Sequence, residues 1–233
     1  MPPEFVFMTS VQSVQLTGLR ASSLAQLAAG IAEVDGSSIY HHTHRFYRSH
    51  SFLAREPLSD FAFWVRESLR ENVLAERLAS IDLRDYRSIR DLRNAIEAVL
   101  RTLEGESERW ERRVPPGLEF HFGRSVSLVF PTGWTAGNLE SFAEGVERVD
   151  TGSLYHHLIE APLHLEAESH ARNDFSLWLE TAIGRSDLAD AVEALDPYRG
   201  SLERLRSDLL GILRPGGLRR KVQKVLGRVE SNP

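Results

Sequence analysis

The chain repeats itself, and this repeat constrains its fold more than any other feature of the sequence. Residues 4–42 align without gaps onto residues 119–157, and 18 of these 39 positions are identical. A repeat of this kind indicates that one structural module occurs twice. We therefore predict a first module over 1–103, a linker over 104–118 and a second module over 119–213, in a tandem duplication with a pseudo-two-fold axis.

The hydrophobic pattern of each copy favours a mainly α-helical fold with short strands, an α+β architecture. The alternation of Phe5 with Phe7, and of Val14 with Leu16, predicts short strands before the turn residue Gly18. About five helices per copy should follow, and four of them begin at a residue that caps a helix well. The predicted N-caps are Ser23, Ser38, Ser59 and Ser88 in the first copy, and Asn138, Ser153, Asn173 and Ser201 in the second.

A separate basic tail follows the second module over 214–233. It has an apolar row and basic side chains at Arg219, Arg220, Lys221, Lys224 and Arg228. This pattern is typical of amphipathic helices that bind acidic partners, anionic membranes or RNA. A terminal helix packed on the body of the protein is the alternative.

Composition narrows the classes of function. The net charge of −5 does not favour nucleic-acid binding, and the absence of cysteine excludes disulfides, thiolate metal sites and thiol catalysis. Neither a signal-peptide pattern nor an apolar stretch long enough to span a membrane is present, so we expect a cytoplasmic protein. The P-loop, the dinucleotide-binding glycine pattern, the nucleophile elbow and the zincin motif are also missing.

The motif Tyr-His-His recurs at residues 40–42 and 155–157. On a helix, Ile39, His42 and Phe46 share one face, which places His42 toward the core. In the second copy, His157 follows Leu154 in the same way. A buried histidine needs a hydrogen-bond partner, so each copy should provide one.

Both copies keep an acid just before an aromatic helix, Asp60 in the first and Asp174 in the second. We therefore predict that His42 pairs with Asp60 and that His157 pairs with Asp174. Each pair would tie the histidine helix to the start of the next helix and would have a structural role.

The other histidines leave two alternatives open. His41 and His44 stand three residues apart and could share a metal ion, with His156 as a third ligand from the second copy. Alternatively, Tyr40 and His41 line a pocket for a small polar ligand, with Tyr155 and His156 in the same position of the second copy. Beyond this metal ion, no cofactor is expected.

A cationic edge follows the motif in the first copy. It consists of His44, Arg45, Arg48 and His50. Such an edge could receive a phosphate or a carboxylate, and a solvated helix face is the alternative. The second copy carries acids in the same region, at Glu160, Glu166 and Glu168, so opposite charges could join the two copies.

Five segments carry distinctive motifs. They are Thr-Gly-Leu-Arg-Ala at 17–21, Ser-Ile-Tyr-His-His-Thr-His-Arg-Phe at 38–46, Ser-Asp-Phe-Ala-Phe-Trp-Val at 59–65, Leu-Tyr-His-His at 154–157 and Asn-Asp-Phe-x-x-Trp at 173–178. Together they resemble an uncharacterised bacterial and archaeal family that is known only as a domain of unknown function. Similar proteins are encoded near trehalose-synthesis and glycosyltransferase genes, which implies an accessory role in sugar metabolism. The module also looks like small domains appended to unrelated archaeal proteins, which implies an adaptor.

We therefore expect a non-catalytic binding, regulatory or adaptor protein that acts through a protein partner. One alternative is a histidine-based metal or sugar-phosphate site on the helix that carries the motif in the first copy. The other is binding to an anionic surface through the basic tail.

Overall fold

The computed structural model describes residues 3–45, 59–86, 88–164, 172–198 and 200–214. The first copy contains β1 (Phe5–Ala21), α1 (Leu24–Glu33), α2 (Gly36–Tyr40), a first π-helical turn (His41–Arg45), α3 (Asp60–Glu67), α4 (Asn72–Ala79), a 3-10 turn (Leu83–Asp85), α5 (Ile89–Arg101) and α6 (Ser107–Glu111). The second contains β2 (Phe120–Ala136), α7 (Leu139–Arg148), α8 (Thr151–Tyr155), a second π-helical turn (His156–Glu160), α9 (Ala161–His164), α10 (Asp174–Thr181), α11 (Ser186–Glu193) and α12 (Leu202–Leu213). The described residues are mainly helical with one pair of strands, and the predicted mainly α, α+β class is confirmed.

Side-chain caps fix the start of most predicted helices, because their oxygens accept backbone N–H groups that the helix leaves unpaired. The predicted caps that the structure confirms are Ser23, Ser59, Ser88, Asn138, Asn173 and Ser201. The caps predicted at Ser38 and Ser153 are wrong. The carboxylates of Asp35 and Asp150, three residues earlier, cap α2 and α8 instead.

Each copy begins with one strand of 17 residues, so the prediction of short strands is wrong. The two strands pair with each other. Thr17 Oγ1 donates to the carbonyl of Phe122 at 2.8 Å, and Ser13 Oγ donates to the carbonyl of Val126 at 3.4 Å. The pair is antiparallel, because the residue number of the β2 partner decreases as the residue number in β1 increases. Most residues from 11 to 18 are exposed on both faces, so the alternation that marks a half-buried strand is absent there.

The chain divides into two compact units, and their boundaries differ from the predicted modules. The first unit is Gln12–Ser127, and the second unit combines Met1–Val11 with Leu128–Pro233. Strand β1 therefore begins in the second unit and ends in the first, while β2 begins in the first unit and ends in the second. The start of each strand belongs with the helices of the other copy.

In the first unit, the helices of the first copy pack around Phe120 and Phe122 from the start of β2. The ring of Phe122 is fully buried against α1, where a Cβ at Gly30 would come within 2.5 Å of it. Trp64 Nε1 donates to the carbonyl of Leu118 at 2.7 Å and so holds the chain that leads into β2. The close approach of strand and helix explains why a glycine stands at position 30.

In the second unit, the helices of the second copy pack around Phe5 and Phe7 from the start of β1. A Cβ at Gly145 of α7 would overlap the ring of Phe7. Trp178 Nε1 donates to the carbonyl of Pro3 at 2.8 Å. Each of these positions aligns with its counterpart in the first unit.

The predicted linker is part of the first unit. Arg109 and Arg112 both bind the carboxylate of Glu71, the latter at 2.6 Å, and the pKa of Glu71 is held below its usual value chiefly by the hydrogen bond from Arg109. Val114 is buried, and its N–H donates to the carbonyl of Ser22 at 2.8 Å. This segment is therefore docked on the helices.

The predicted basic tail lies outside the described residues, except for Arg214. Of the helices that the structure describes, none combines the length and the apolar composition needed to cross a membrane.

Candidate functional site

The histidine motifs lie where an α-helix widens into a π-helical turn. α2 ends at Tyr40 and continues into His41–Arg45, and α8 ends at Tyr155 and continues into His156–Glu160. π-helical turns within helices are rare and frequently mark functional sites. The side chains of these two turns therefore define the candidate site of each unit.

His42 is buried, and both of its ring nitrogens are hydrogen-bonded. Its Nδ1 lies 2.6 Å from Asp60 Oδ2, and its Nε2 accepts the backbone N–H of Gly123 at 2.9 Å. A ring nitrogen that accepts carries no proton, so Nδ1 carries the proton and donates it to Asp60. The side chain thus links the first π-helical turn to the start of α3 and to β2.

The same arrangement recurs at His157 in the second unit. Its Nδ1 lies 2.7 Å from Asp174 Oδ2, and its Nε2 accepts the backbone N–H of Met8 at 2.8 Å. Burial lowers the pKa of His157, and the neighbouring His156 adds to this, although the hydrogen bond and the charge of Asp174 oppose it. The structure therefore brings together both of the histidine–aspartate pairs that the sequence predicts.

His41 points to a different set of groups. Its Nδ1 lies 3.2 Å from Ser125 Oγ and 3.4 Å from a guanidinium nitrogen of Arg45. Burial, together with the charges of His42 and Arg45, lowers the pKa of His41 to about 4, against the opposing charge of Asp60. The ring is therefore neutral near pH 7, and a guanidinium beside it makes Nδ1 the accepting nitrogen.

Glu160 is a site residue that the sequence prediction misplaced. It is fully buried, and its Oε2 accepts from Ser10 Oγ at 2.5 Å and lies 3.2 Å from His156 Nδ1. Its carboxylate is therefore bound inside its own unit and does not form an exposed acidic edge. The repeat could have identified Glu160 as a site residue. Ser10 aligns with the identical Ser125, and Glu160 aligns with Arg45.

The remaining ligand candidates are buried in their helices. The ring of His44 stacks on Tyr40 with centroids 5.4 Å apart, and its Nδ1 lies 3.0 Å from Thr43 Oγ1. Gln12 Nε2 donates to the Tyr40 hydroxyl at 3.0 Å. Tyr155 is buried as well. The tyrosines are therefore part of the packing. Arg48, His50, Glu166 and Glu168 lie outside the described residues.

Among the described residues, one group of three potential metal ligands has its ligand atoms within 4.8 Å of one another: His156, His157 and Asp174. This is a different set from the predicted His41, His44 and His156, of which the first two belong to the first unit and the third to the second. A metal ion on Nδ1 of His157 would have to replace its hydrogen bond to Asp174.

The chain is similar to one protein family and to one solved structure. The profile of a family of unknown function (DUF5752) matches residues 2–214. The structure of OrfY from Thermoproteus tenax is similar, with 31% sequence identity and a TM-score of 0.77 over 91% of this chain and 94% of that one. No curated protein matches the sequence significantly. The family match agrees with the predicted resemblance to a family of unknown function.

Proposed function

The chain belongs to the DUF5752 family, and we propose that it is a non-catalytic protein that binds and regulates a protein partner. The observation that carries this proposal is the position of the second histidine of the Tyr-His-His motif. In each unit a carboxylate and a backbone N–H hold its two ring nitrogens, at His42 and at His157. Proton transfer or metal binding by either ring would first break a buried hydrogen bond.

The serines beside the histidines also support a non-catalytic role. A catalytic serine donates its proton to a histidine that acts as the base. Ser10 instead donates to the carboxylate of Glu160. Ser125 does lie 3.2 Å from His41 Nδ1, but the pKa of His41 is lowered to about 4, well below the neutral pH at which a general base is most effective.

Exposed apolar side chains on the strands support binding to a protein. In the first unit Val14 and Leu16 are 46% and 71% exposed. In the second unit Val11, Leu128 and Phe130 are 57%, 66% and 44% exposed. Grouped apolar side chains on a surface mark interaction sites, and strands with open edges pair with segments of other chains.

The partner that we propose is an enzyme of trehalose synthesis or glycosyl transfer in the cytoplasm, the class that the family resemblance implies. To test this, the purified full chain is added in increasing amounts to such an enzyme from its own host, and the rate of sugar transfer is followed. We expect the rate to change and to saturate at a fixed stoichiometry, with no product from the chain alone. Turnover by the chain alone, or an unchanged rate without complex formation in sedimentation, would contradict the proposal.

We also infer that the two copies arose by tandem duplication of one module. Besides the 18 identical residues, the copies share hydrogen bonds at aligned positions: Trp64 donates to Leu118 as Trp178 donates to Pro3. These matching contacts hold strands and helices together. The residues that both copies keep are therefore structural, and this supports a binding module.

Metal binding is the second candidate, favoured by the proximity of His156, His157 and Asp174. Elemental analysis of the untagged protein, beside a His156→Ala variant, tests it. Stoichiometric metal that is lost in the variant would support a metal site in the second unit. No bound metal after dialysis against zinc would exclude it.

A further inference from the structure

The two π-helical turns build the same cradle with opposite charge. The first cradle consists of His41, Arg45 and Ser125, and the second cradle consists of His156, Glu160 and Ser10. The histidine and the serine are identical in the aligned copies, and only the third residue changes, from a cation to an acid. A comparison of the two cradles therefore shows what the shared groups bind when an anion is present.

In the second cradle a carboxylate occupies the space between the shared groups. Ser10 Oγ donates to Glu160 Oε2 at 2.5 Å, and His156 Nδ1 lies 3.2 Å from the same oxygen. Glu160 is fully buried, so its carboxyl group depends on Ser10 and His156 for the hydrogen bonds that water would otherwise give. The serine and the histidine thus form a built site for one oxyanion.

The first cradle has the same donors and no acid of its own. Ser125 Oγ and the guanidinium of Arg45 both approach His41 Nδ1, at 3.2 and 3.4 Å. Ser125 is buried. Asp60, whose charge raises the pKa of His41, is already paired with His42. Within the part of the chain that the structure describes, Arg45 forms no ion pair. A cation, a buried hydroxyl and an imidazole therefore converge without an anion.

We propose that the first cradle binds the carboxylate or phosphate group of a small metabolite, in the position that the Glu160 carboxylate takes in the second cradle. Arg45 would supply the charge and two donors, as guanidinium groups do for oxyanions. Ser125 would donate to the same ligand oxygen. When Arg45 turns from His41 Nδ1 to the ligand, the proton of the neutral His41 ring would move to Nδ1, which would then donate to the ligand as well. Such a ligand is a signal that a regulatory protein can read, but its binding requires no protein partner.

Titration of the full chain with inorganic phosphate, and separately with acetate, tests this proposal by calorimetry and by the NMR signals of His41. We expect millimolar or tighter binding of at least one of them, with shifts at His41 and none at the exposed His121. The two titrations distinguish a phosphate ligand from a carboxylate. Absence of binding by both would overturn the proposal.

Three variants distinguish anion binding at the first cradle from a general effect of the protein's net charge. Arg45→Glu copies the second cradle, so we expect binding at least about tenfold weaker together with an unchanged or higher melting temperature. Arg20→Glu makes the same charge change at an exposed arginine and should retain binding. If Arg45→Glu does not fold, Arg45→Gln decides. Unchanged binding in the folded Arg45 variant, or an equal loss in Arg20→Glu, would refute the site.

Discussion

At the scale of single residues, one histidine in each unit joins three elements through two hydrogen bonds. His42 and His157 bind an aspartate at a helix start with one nitrogen and a strand N–H with the other. Helical spacing predicts that the histidines are buried, and the repeat predicts the aspartates, because both copies keep an acid at the start of the next helix. The strand N–H groups, of Gly123 and Met8, could not be predicted, because they come from the other copy and a backbone donor leaves no trace in sequence.

Removing either histidine should destabilise the protein. We expect His42→Ala to lower the free energy of unfolding by about 3 kcal/mol, because it leaves the buried N–H of Gly123 without an acceptor and creates a cavity. Urea denaturation measures this loss. The exposed His121, changed to alanine, should move the value by less than about 0.5 kcal/mol. A neutral His42→Ala would show that the bridge contributes nothing to stability.

The buried histidines should also make stability depend on pH. An unfolded histidine takes up its proton near pH 6.5, whereas folded His41 does so only near pH 4. Between these values the unfolded state binds more protons, so the free energy of unfolding falls as the pH falls. The slope for one histidine is at most about 1.4 kcal/mol per pH unit, and His157, whose pKa is also lowered, acts in the same direction.

Urea midpoints between pH 7 and pH 5 measure this slope, above the range in which carboxylates such as Glu71 take up protons. We expect His41→Asn to reduce the slope. A slope that is the same in His41→Asn and in the wild type would mean that His41 titrates normally in the folded protein.

At the scale of elements, the helices follow from local sequence and the strands do not. Cap residues and apolar periodicity were enough to place most helix starts, since both act within one or two turns. The strands β1 and β2 were predicted too short, because their exposed middle lacks alternation. The carboxylates of Asp35 and Asp150 cap α2 and α8 three residues before the predicted Ser38 and Ser153.

The glycine of α1 tests the packing of strand on helix. Gly→Ala within a helix usually stabilises by about 0.5–1 kcal/mol. We expect Gly30→Ala to destabilise instead, by about 1–3 kcal/mol, because its Cβ would come within 2.5 Å of the Phe122 ring. Gly211→Ala in α12, where no atom lies within 4 Å, should show the usual gain. Thermal melting measures both, and a gain in Gly30→Ala would contradict this packing.

At the scale of the whole molecule, the compact units do not coincide with the repeats. Phe5 and Phe7 belong to the core of the second unit, and Phe120 and Phe122 to the core of the first. The sequence could not predict this exchange, since both copies carry the same Phe-x-Phe and either strand would fit either set of helices. The repeat therefore predicted how many cores to expect but not which residues complete them.

Fragments of the chain test this division. We expect residues 12–127 to fold alone, because they contain the whole first unit, and residues 1–103 to fail, because they lack two fully or nearly fully buried phenylalanines. Amide NMR dispersion and the cooperativity of thermal unfolding distinguish the two outcomes. Equal cooperativity in both fragments would show that the first copy completes its own core.

We infer that the second histidine of each Tyr-His-His motif, His42 or His157, is a structural bridge whose ring nitrogens are both occupied by hydrogen bonds. Long-range ¹H–¹⁵N NMR of the ring nitrogens at pH 8 tests it most directly, because it reports which nitrogen carries the proton. We predict that His42 and His157 both carry it on Nδ1, with Nε2 as an acceptor. A proton on Nε2, or rapid exchange between the two tautomers, would contradict the structural role of these histidines and would make them candidate catalytic residues.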